Sequence, residues 1–395
     1  MPAPAQLSRS SLLLMAVAAG VVVANLYYNQ PLLAAIGQEF HASAASMGVI
    51  AMLTQAGYAL GLLFFVPLGD AMERRRLVLL MAAFALLALI AIATAKSFLW
   101  LAAASLAVGA FSVVPQMLVP FAAFLSPPGQ RGRAVGTVMS GLLIGILLAR
   151  TVSGIVGAHL GWRAMYWVAA GLMVVIAIAL RLNLPTSVPT TPMGYGRLLS
   201  SLAHLARTEP VLREAAFTGG MLFASFSAFW ATLVFLLERP PYHLGEQAAG
   251  LFGLVGVVGA SAAPLAGHMS DRMNPRTTVR LTIVIGIAAY LIFWLLGLHL
   301  AGLIAGVMLL DGAVQAGHVT NQARIYALGT ERANRLNSVY MVTYFTGGGL
   351  GSWLGALAWQ HWGWSGVCVV GGGALVLGLA EMAVVTTIPE AAEER

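Results

Sequence analysis

The sequence predicts an all-α membrane protein: twelve transmembrane helices in two pseudo-symmetric six-helix bundles. Three observations predict it: scarcity of charge, apolar stretches of about twenty residues recurring along the chain, and an internal repeat. Charged residues make up 9% of the 395, apolar residues 59%, and mean hydropathy is +0.85. A soluble domain carries roughly 25% charged residues, so this chain cannot assemble a water-facing surface. An apolar stretch of about twenty residues crosses roughly 30 Å of hydrocarbon. There the backbone must satisfy its own hydrogen bonds, so each stretch is expected to be helical.

The expected spans are 12–33, 47–67, 77–95, 98–121, 134–157 and 164–182, then 214–237, 248–267, 277–298, 301–327, 336–359 and 366–388. The first could be mistaken for a secretory signal, since Arg9 precedes an apolar run containing Ala16-Val17-Ala18. A cleaved signal has a run of roughly 7–15 residues followed by a soluble chain. Here the helix continues through Asn25-Leu26-Tyr27-Tyr28-Asn29-Gln30, and the rest of the chain is also apolar, so an uncleaved first span is expected. With the N-terminus inside, 17 of the 21 basic residues fall on the cytoplasmic side, and Lys96, Arg163 and Arg239 outside. That asymmetry obeys the positive-inside rule and places both termini in the cytoplasm. The basic excess therefore speaks for topology in a membrane, in contact with lipid, and not for nucleic acid. Trp100, Trp162, Trp362 and Trp364 suit an interfacial belt. One cysteine, Cys368, excludes an intrachain disulfide.

The repeat has an offset of about two hundred residues. Gly69-Asp70 with Arg74-Arg75-Arg76 follows span two, and Asp271-Arg272 with Arg276 follows span eight. His159-Leu160-Gly161-Trp162 closes span five, His361-Trp362-Gly363-Trp364 closes span eleven, and Gly145 aligns with Gly347. Parallel six-helix repeats are a recurring transporter plan. The expected domains are an N-terminal bundle, 1–182, a cytoplasmic linker, 183–213, and a C-terminal bundle, 214–395. Pro185, Pro189 and Pro192 make the start of the linker extended. Leu198, Leu199, Leu202 and Leu205, with Arg197, His204 and Arg207 nearby, then suit an amphipathic helix on the inner leaflet, the alternative being a solvated linker.

Over essentially its whole length the chain resembles the major facilitator superfamily. The segment Val66-Pro67-Leu68-Gly69-Asp70-Ala71-Met72-Glu73-Arg74-Arg75-Arg76 is similar to that family's loop signature, with Val66 and Glu73 in place of glycines. Gly267-His268-Met269-Ser270-Asp271-Arg272 is the second copy. The strings Asn25-Leu26-Tyr27-Tyr28-Asn29-Gln30-Pro31 and His318-Val319-Thr320-Asn321-Gln322-Ala323-Arg324-Ile325-Tyr326 resemble a bacterial branch of drug or sugar efflux permeases. The resemblance implies the major facilitator fold and a monomer without cofactor. It also implies secondary active transport of a small organic solute by alternating access, coupled to protons and directed outward. Uptake or facilitated diffusion of a small metabolite is the alternative. Two positions depart from the drug:proton antiporter pattern: Ser105 stands where span four carries an arginine, and Ala149-Arg150 where span five carries Gly-Pro.

The loop residues Asp70, Arg74, Arg75, Asp271, Arg272 and Arg276 are expected to gate. A helix N-terminus is electropositive, so Asp70 could dock at the start of span eleven and Asp271 at the start of span five; a solvated turn is the alternative. Two charges lie deep in spans, Arg150 and Asp311. Each costs roughly 2.5–3.5 kcal/mol at a helix centre, so a functional role is the default. Asp311, Gln315, His318 and Gln322 share one helix face and should line water or substrate. Asp311 is read as a carboxyl that takes and releases a proton, the alternative being a permanent ion pair with Arg150. His318 is read as a polar wall residue or proton relay; histidine spacing for a metal is absent.

Asn25, Tyr28 and Asn29 share a face of span one, and Gln55, Tyr58, Gln116, Phe226, Trp230, Asn321, Tyr340 and Tyr344 extend the expected substrate surface. Amides with aromatic rings suit neutral or cationic organic solutes, although any one of them could instead bond between helices. The glycines of spans five and eleven read as close packing. His-Glu-x-x-His, Gly-x-Ser-x-Gly and the phosphate-binding Gly-x-x-x-x-Gly-Lys-Ser/Thr are absent, so neither an enzyme nor an ATP-driven pump is expected.

Overall fold

A computed structural model describes residues 8–186, 195–260, 274–329 and 332–384. All regular elements among them are helical. Span one runs Arg9–Glu39, span two Ala44–Phe64, span three Arg74–Ala93, span four Phe98–Leu125, span five Arg131–Leu160 and span six Trp162–Asn183. Span seven lies in Pro210–Glu238, the described part of the helix that leads into span eight is Glu246–Ala260, span nine is Pro275–Leu296 and span ten Leu300–Tyr326. Spans eleven and twelve form the continuous stretch Ala333–Val384, which turns at Gly363 with φ 61. Polar caps set several starts: Ser11 N donates to Ser8 Oγ, Ser46 N to Ser43 Oγ, and Trp100 N to Ser97 Oγ. Glu73 accepts from the amides of Arg75 and Arg76, which satisfies donors that a helix start otherwise leaves orphaned.

The backbone carries the repeat. Gly161 (φ 82) and Gly363 both reverse the chain with positive φ, which an L side chain resists, and they stand 202 residues apart. His41 (φ 50) and His243 (φ 49) have the same separation.

Two spans are broken where hydropathy gives no warning. Span one stops at Ala24 and resumes at Asn29, and span four stops at Phe111 and resumes at Val114. At both breaks bonds tighten to the i→i−3 kind: Tyr27 N to the Ala24 carbonyl (2.9 Å) and Gln116 N to that of Val113 (3.0 Å).

The residues cluster into two compact units, one comprising Met1–Leu199 with Trp230–Leu254, the other Ser200–Phe229 with Val255–Arg395. In the first, span one packs on span five backbone to backbone. A Cβ on Gly145 would lie 2.2 Å from the Gly20 carbonyl oxygen, and one on Gly141 2.2 Å from that of Ala16. In the second, span eleven meets span seven the same way, Gly347 against Gly220 (2.3 Å) and Gly351 against Ala224 (2.0 Å). The linker helix is Tyr195–Thr208, and Leu198, Leu202 and Leu205 are buried against protein instead of being presented to lipid. Pro189 and Pro192 lie outside the described residues, as do Asp271 and Arg272; of Asp70 only the backbone is described.

Candidate functional site

In the first unit the break in span one gathers the polar residues. Asn25 Nδ2 donates to Ser112 Oγ (3.2 Å), in the break of span four, and faces Met173 Sδ (3.7 Å). Asn29 Nδ2 donates to Thr54 Oγ1 (3.2 Å), whose own hydrogen goes to the Ile50 carbonyl (3.0 Å). A thioether can only accept, and Thr54, its hydrogen engaged, can only accept from Asn29. Both amides are therefore fixed with nitrogen toward these partners. Both Oδ1 atoms are buried without a hydrogen-bond partner. Two acceptors left over, four residues apart, fit a ligand bearing hydroxyl or ammonium donors, since an unmet buried acceptor costs ~1–3 kcal/mol.

Arg150 is 1% exposed. Its Nε donates to Gln30 Oε1 (2.6 Å), and its guanidinium lies over the Trp230 ring (4.1 Å) and the Tyr27 ring (4.9 Å). Amide and π faces thus stand in for water around this cation. Ser153, one turn along, donates to the Tyr28 carbonyl (2.5 Å), tying span five to the break in span one. Gln55 and Tyr58 are buried on span two, and the Tyr58 hydroxyl lies against Gln116 of span four.

In the second unit an aromatic cluster joins spans seven, ten and eleven. Phe223 stacks on Tyr344 (4.1 Å) and on Phe226 (5.6 Å). The His318 ring lies 4.7 Å from Tyr344, and its Nδ1 is 3.0 Å from the Tyr340 hydroxyl. Asp311 is 4% exposed, two helical turns before His318. Gln315, His318 and Gln322 are partly buried on the same helix face, with Gln322 Nε2 donating to Asn337 Oδ1 (3.1 Å). Asn321, one turn on from His318, is engaged between helices: its Nδ2 donates to Thr218 Oγ1 (3.2 Å) and its Oδ1 accepts from Arg324 Nη1 (3.2 Å).

The described loop arginines Arg74, Arg75 and Arg276 are anchored. Arg74 Nε donates to the Gly69 carbonyl (3.3 Å) beneath the Phe124 ring (4.8 Å), and Arg75 reaches the Arg181 carbonyl. Arg276 and Arg324 converge on Glu214, which is 1% exposed, through Nη2–Oε2 (2.8 Å) and Nη2–Oε1 (2.6 Å) contacts respectively. Sequence reasoning gave Glu214 no role, since its partners lie 62 and 110 residues away. Gln30 and Ser112 were likewise missed as partners; the polar string around Gln30 was the available signal. Among the described residues no group of three potential metal ligands occurs.

The Major Facilitator Superfamily model matches residues 15–352, and the chain belongs to that family. It is 42% identical over 366 residues to "Uncharacterized transporter YgaY" of Escherichia coli O157:H7, covering 93% of each chain. It is 23% identical over 352 residues to the "Probable sugar efflux transporter" of Helicobacter acinonychis, covering 88% of each. The fold matches the crystal structure of the nucleoside transporter NupG (D323A mutant), with a TM-score of 0.77 at 13% identity over 95% of this chain and 100% of that one. The protein is thus a multi-pass membrane transporter of the major facilitator kind for a small-molecule substrate, and not an enzyme.

Proposed function

We propose that this transporter exports a small neutral or cationic organic solute by alternating access in exchange for protons. The observation that carries the reading is Asp311, a carboxyl 4% exposed within an apolar span, on one helix face with Gln315, His318 and Gln322. Such a charge is retained in a membrane for function, and carboxyl–histidine stripes serve as proton relays. Outward direction is supported by the efflux relative and by the motifs of spans one and ten. The candidate substrate-contacting residues are Asn25, Tyr28, Asn29, Gln55, Tyr58, Gln116 and Trp230 in the first unit, and, separately, Phe226, Gln315, Asn321, Gln322, Tyr340 and Tyr344 in the second. Asp311 with His318 in the second unit, and Arg150 in the first, are the proton-coupling charges, and the loop residues around Asp70 and Arg276 gate. The bundles are 1–182 and 214–395, in a bacterial inner membrane with both termini cytoplasmic, and the protein works as a monomer.

Cells expressing the protein and loaded with a panel of fluorescent organic cations or labelled sugars test this. Export that a protonophore stops, and that Asp311→Asn abolishes at normal membrane abundance, is expected. Export by the Asp311→Asn protein at the wild-type rate would remove Asp311 from the mechanism. Uptake or facilitated diffusion is the second reading, favoured by Ser105 and by Ala149-Arg150 at positions where antiporters carry arginine and Gly-Pro.

A further inference from the structure

Glu246 is the first residue of the helix of span eight, ahead of the apolar run that begins at residue 248. It lies against span five at two glycines. Its carbonyl oxygen is 2.5 Å from where a Cβ on Gly154 would stand, and its Oε2 is 2.4 Å from where one on Gly157 would stand. Leu32 Cδ2 closes the same spot at 2.2 Å, so only a hydrogen at residue 157 leaves room for the carboxyl. Oε2 is buried there without a hydrogen-bond partner.

A carboxylate oxygen without donors is a poor occupant of such a seat, whereas a neutral carboxylic acid is a tolerable one. Burial first, and the charge of Glu238 at the end of span seven second, push this carboxyl up to about 7. The remaining charged groups of the packed elements do not offset this. On span five, Arg150 is held by Gln30, Tyr27 and Trp230, and His159 is exposed with Nδ1 at the Ile155 carbonyl. On span one, Glu39 is engaged by Arg163 and Trp162, and in the loop Arg239 and His243 are exposed. The helix start itself favours an anion, which opposes the shift without reversing it.

We propose that Glu246 is a proton-binding site: protonated, it seats over Gly157 and latches the start of span eight to span five; ionised, it leaves for water. On the topology expected from the charge distribution this seat faces outward. External pH then sets how readily that end opens, independently of Asp311. The sign follows from the raised value: seating is stable below about pH 7 and is lost as pH rises through it.

The test uses purified full-length protein in liposomes, carrying Cys368→Ser. Infrared difference spectra on a pH titration should show a protonated-carboxyl band that disappears near pH 7 in the parent and is missing in Glu246→Gln. Identical bands in the two proteins would overturn the proposal. Leu32→Cys reports the seat through maleimide labelling, normalised to an exposed Gly245→Cys to remove the thiol's own pH dependence. The normalised rate should rise with pH, by at most about tenfold per unit for one proton. It should stay low throughout in Glu246→Gln and high throughout in Gly157→Ala, which evicts an intact carboxyl. A flat parent profile, or Glu246→Gln following the parent, would contradict the latch even if Gly157→Ala fails to fold.

Discussion

At the scale of single residues, buried polar groups divide into those whose chemistry is complete and those left open. Glu214 is complete: two guanidiniums converge on it, and Arg276 also donates to the Met382 carbonyl (3.1 Å). Glu214→Gln removes the buried charge on which the part-buried Arg276 and Arg324 converge, so a loss of up to ~3–5 kcal/mol in stability is expected. Thermal unfolding in detergent checks it. Asn25 and Asn29 are open, their oxygens unmet. If a substrate supplies the missing donors, Asn29→Leu weakens substrate binding by roughly tenfold, the equivalent of one net hydrogen bond of ~1 kcal/mol or slightly more. It should leave the melting temperature nearly unchanged, and equilibrium binding of the exported solute measures the difference. These residues were visible in the sequence as a polar string, but which atoms remain unpartnered depends on Ser112, Thr54 and Met173, brought in from three other spans.

At the scale of elements, helix existence was legible and helix continuity was not. Hydropathy alone marks spans one and four, because Asn25–Tyr28 and Ser112–Val113 interrupt them for fewer residues than a hydropathy window averages. The glycines of span five announced close packing, yet not with which partner. Gly141 and Gly145 face span one, Gly154 faces span eight, Gly157 meets Leu32 of span one as well as Glu246, and Gly136 has nothing within 4 Å. A side chain at 145 would meet backbone, which cannot rotate away. Gly145→Val should therefore cost at least ~1–3 kcal/mol by overpacking. Gly136→Ala should be neutral or stabilising by up to ~1 kcal/mol through helix propensity. Melting curves of the two variants side by side separate the readings. The linker leucines show the limit of periodicity: an amphipathic stripe reveals that one face is covered, not whether lipid or protein covers it. Here protein covers Leu198, Leu202 and Leu205.

At the scale of the whole molecule, the repeat is the property most directly written in the sequence. Gly161 and Gly363 both turn the chain with positive φ, and the Gly20–Gly145 contact has its counterpart in Gly220–Gly347. The repeat also shows where symmetry ends. The 202-residue separation of those two turns pairs Asp311 with Gly109, a packing position where a Cβ would lie 1.9 Å from the Thr54 carbonyl oxygen. One half thus carries a deep carboxyl and the other a deep arginine, an asymmetry that a purely structural duplication does not require. In the proposed cycle the carboxyl couples proton movement to solute movement. The most direct measurement reconstitutes the purified protein in liposomes with a pH-sensitive dye inside, imposes a proton gradient, and adds cationic drugs and neutral sugars in turn. A solute-dependent pH change that Asp311→Asn removes, while the protein remains folded and inserted, is expected. Solute flux with no pH change would contradict it, leaving facilitated diffusion.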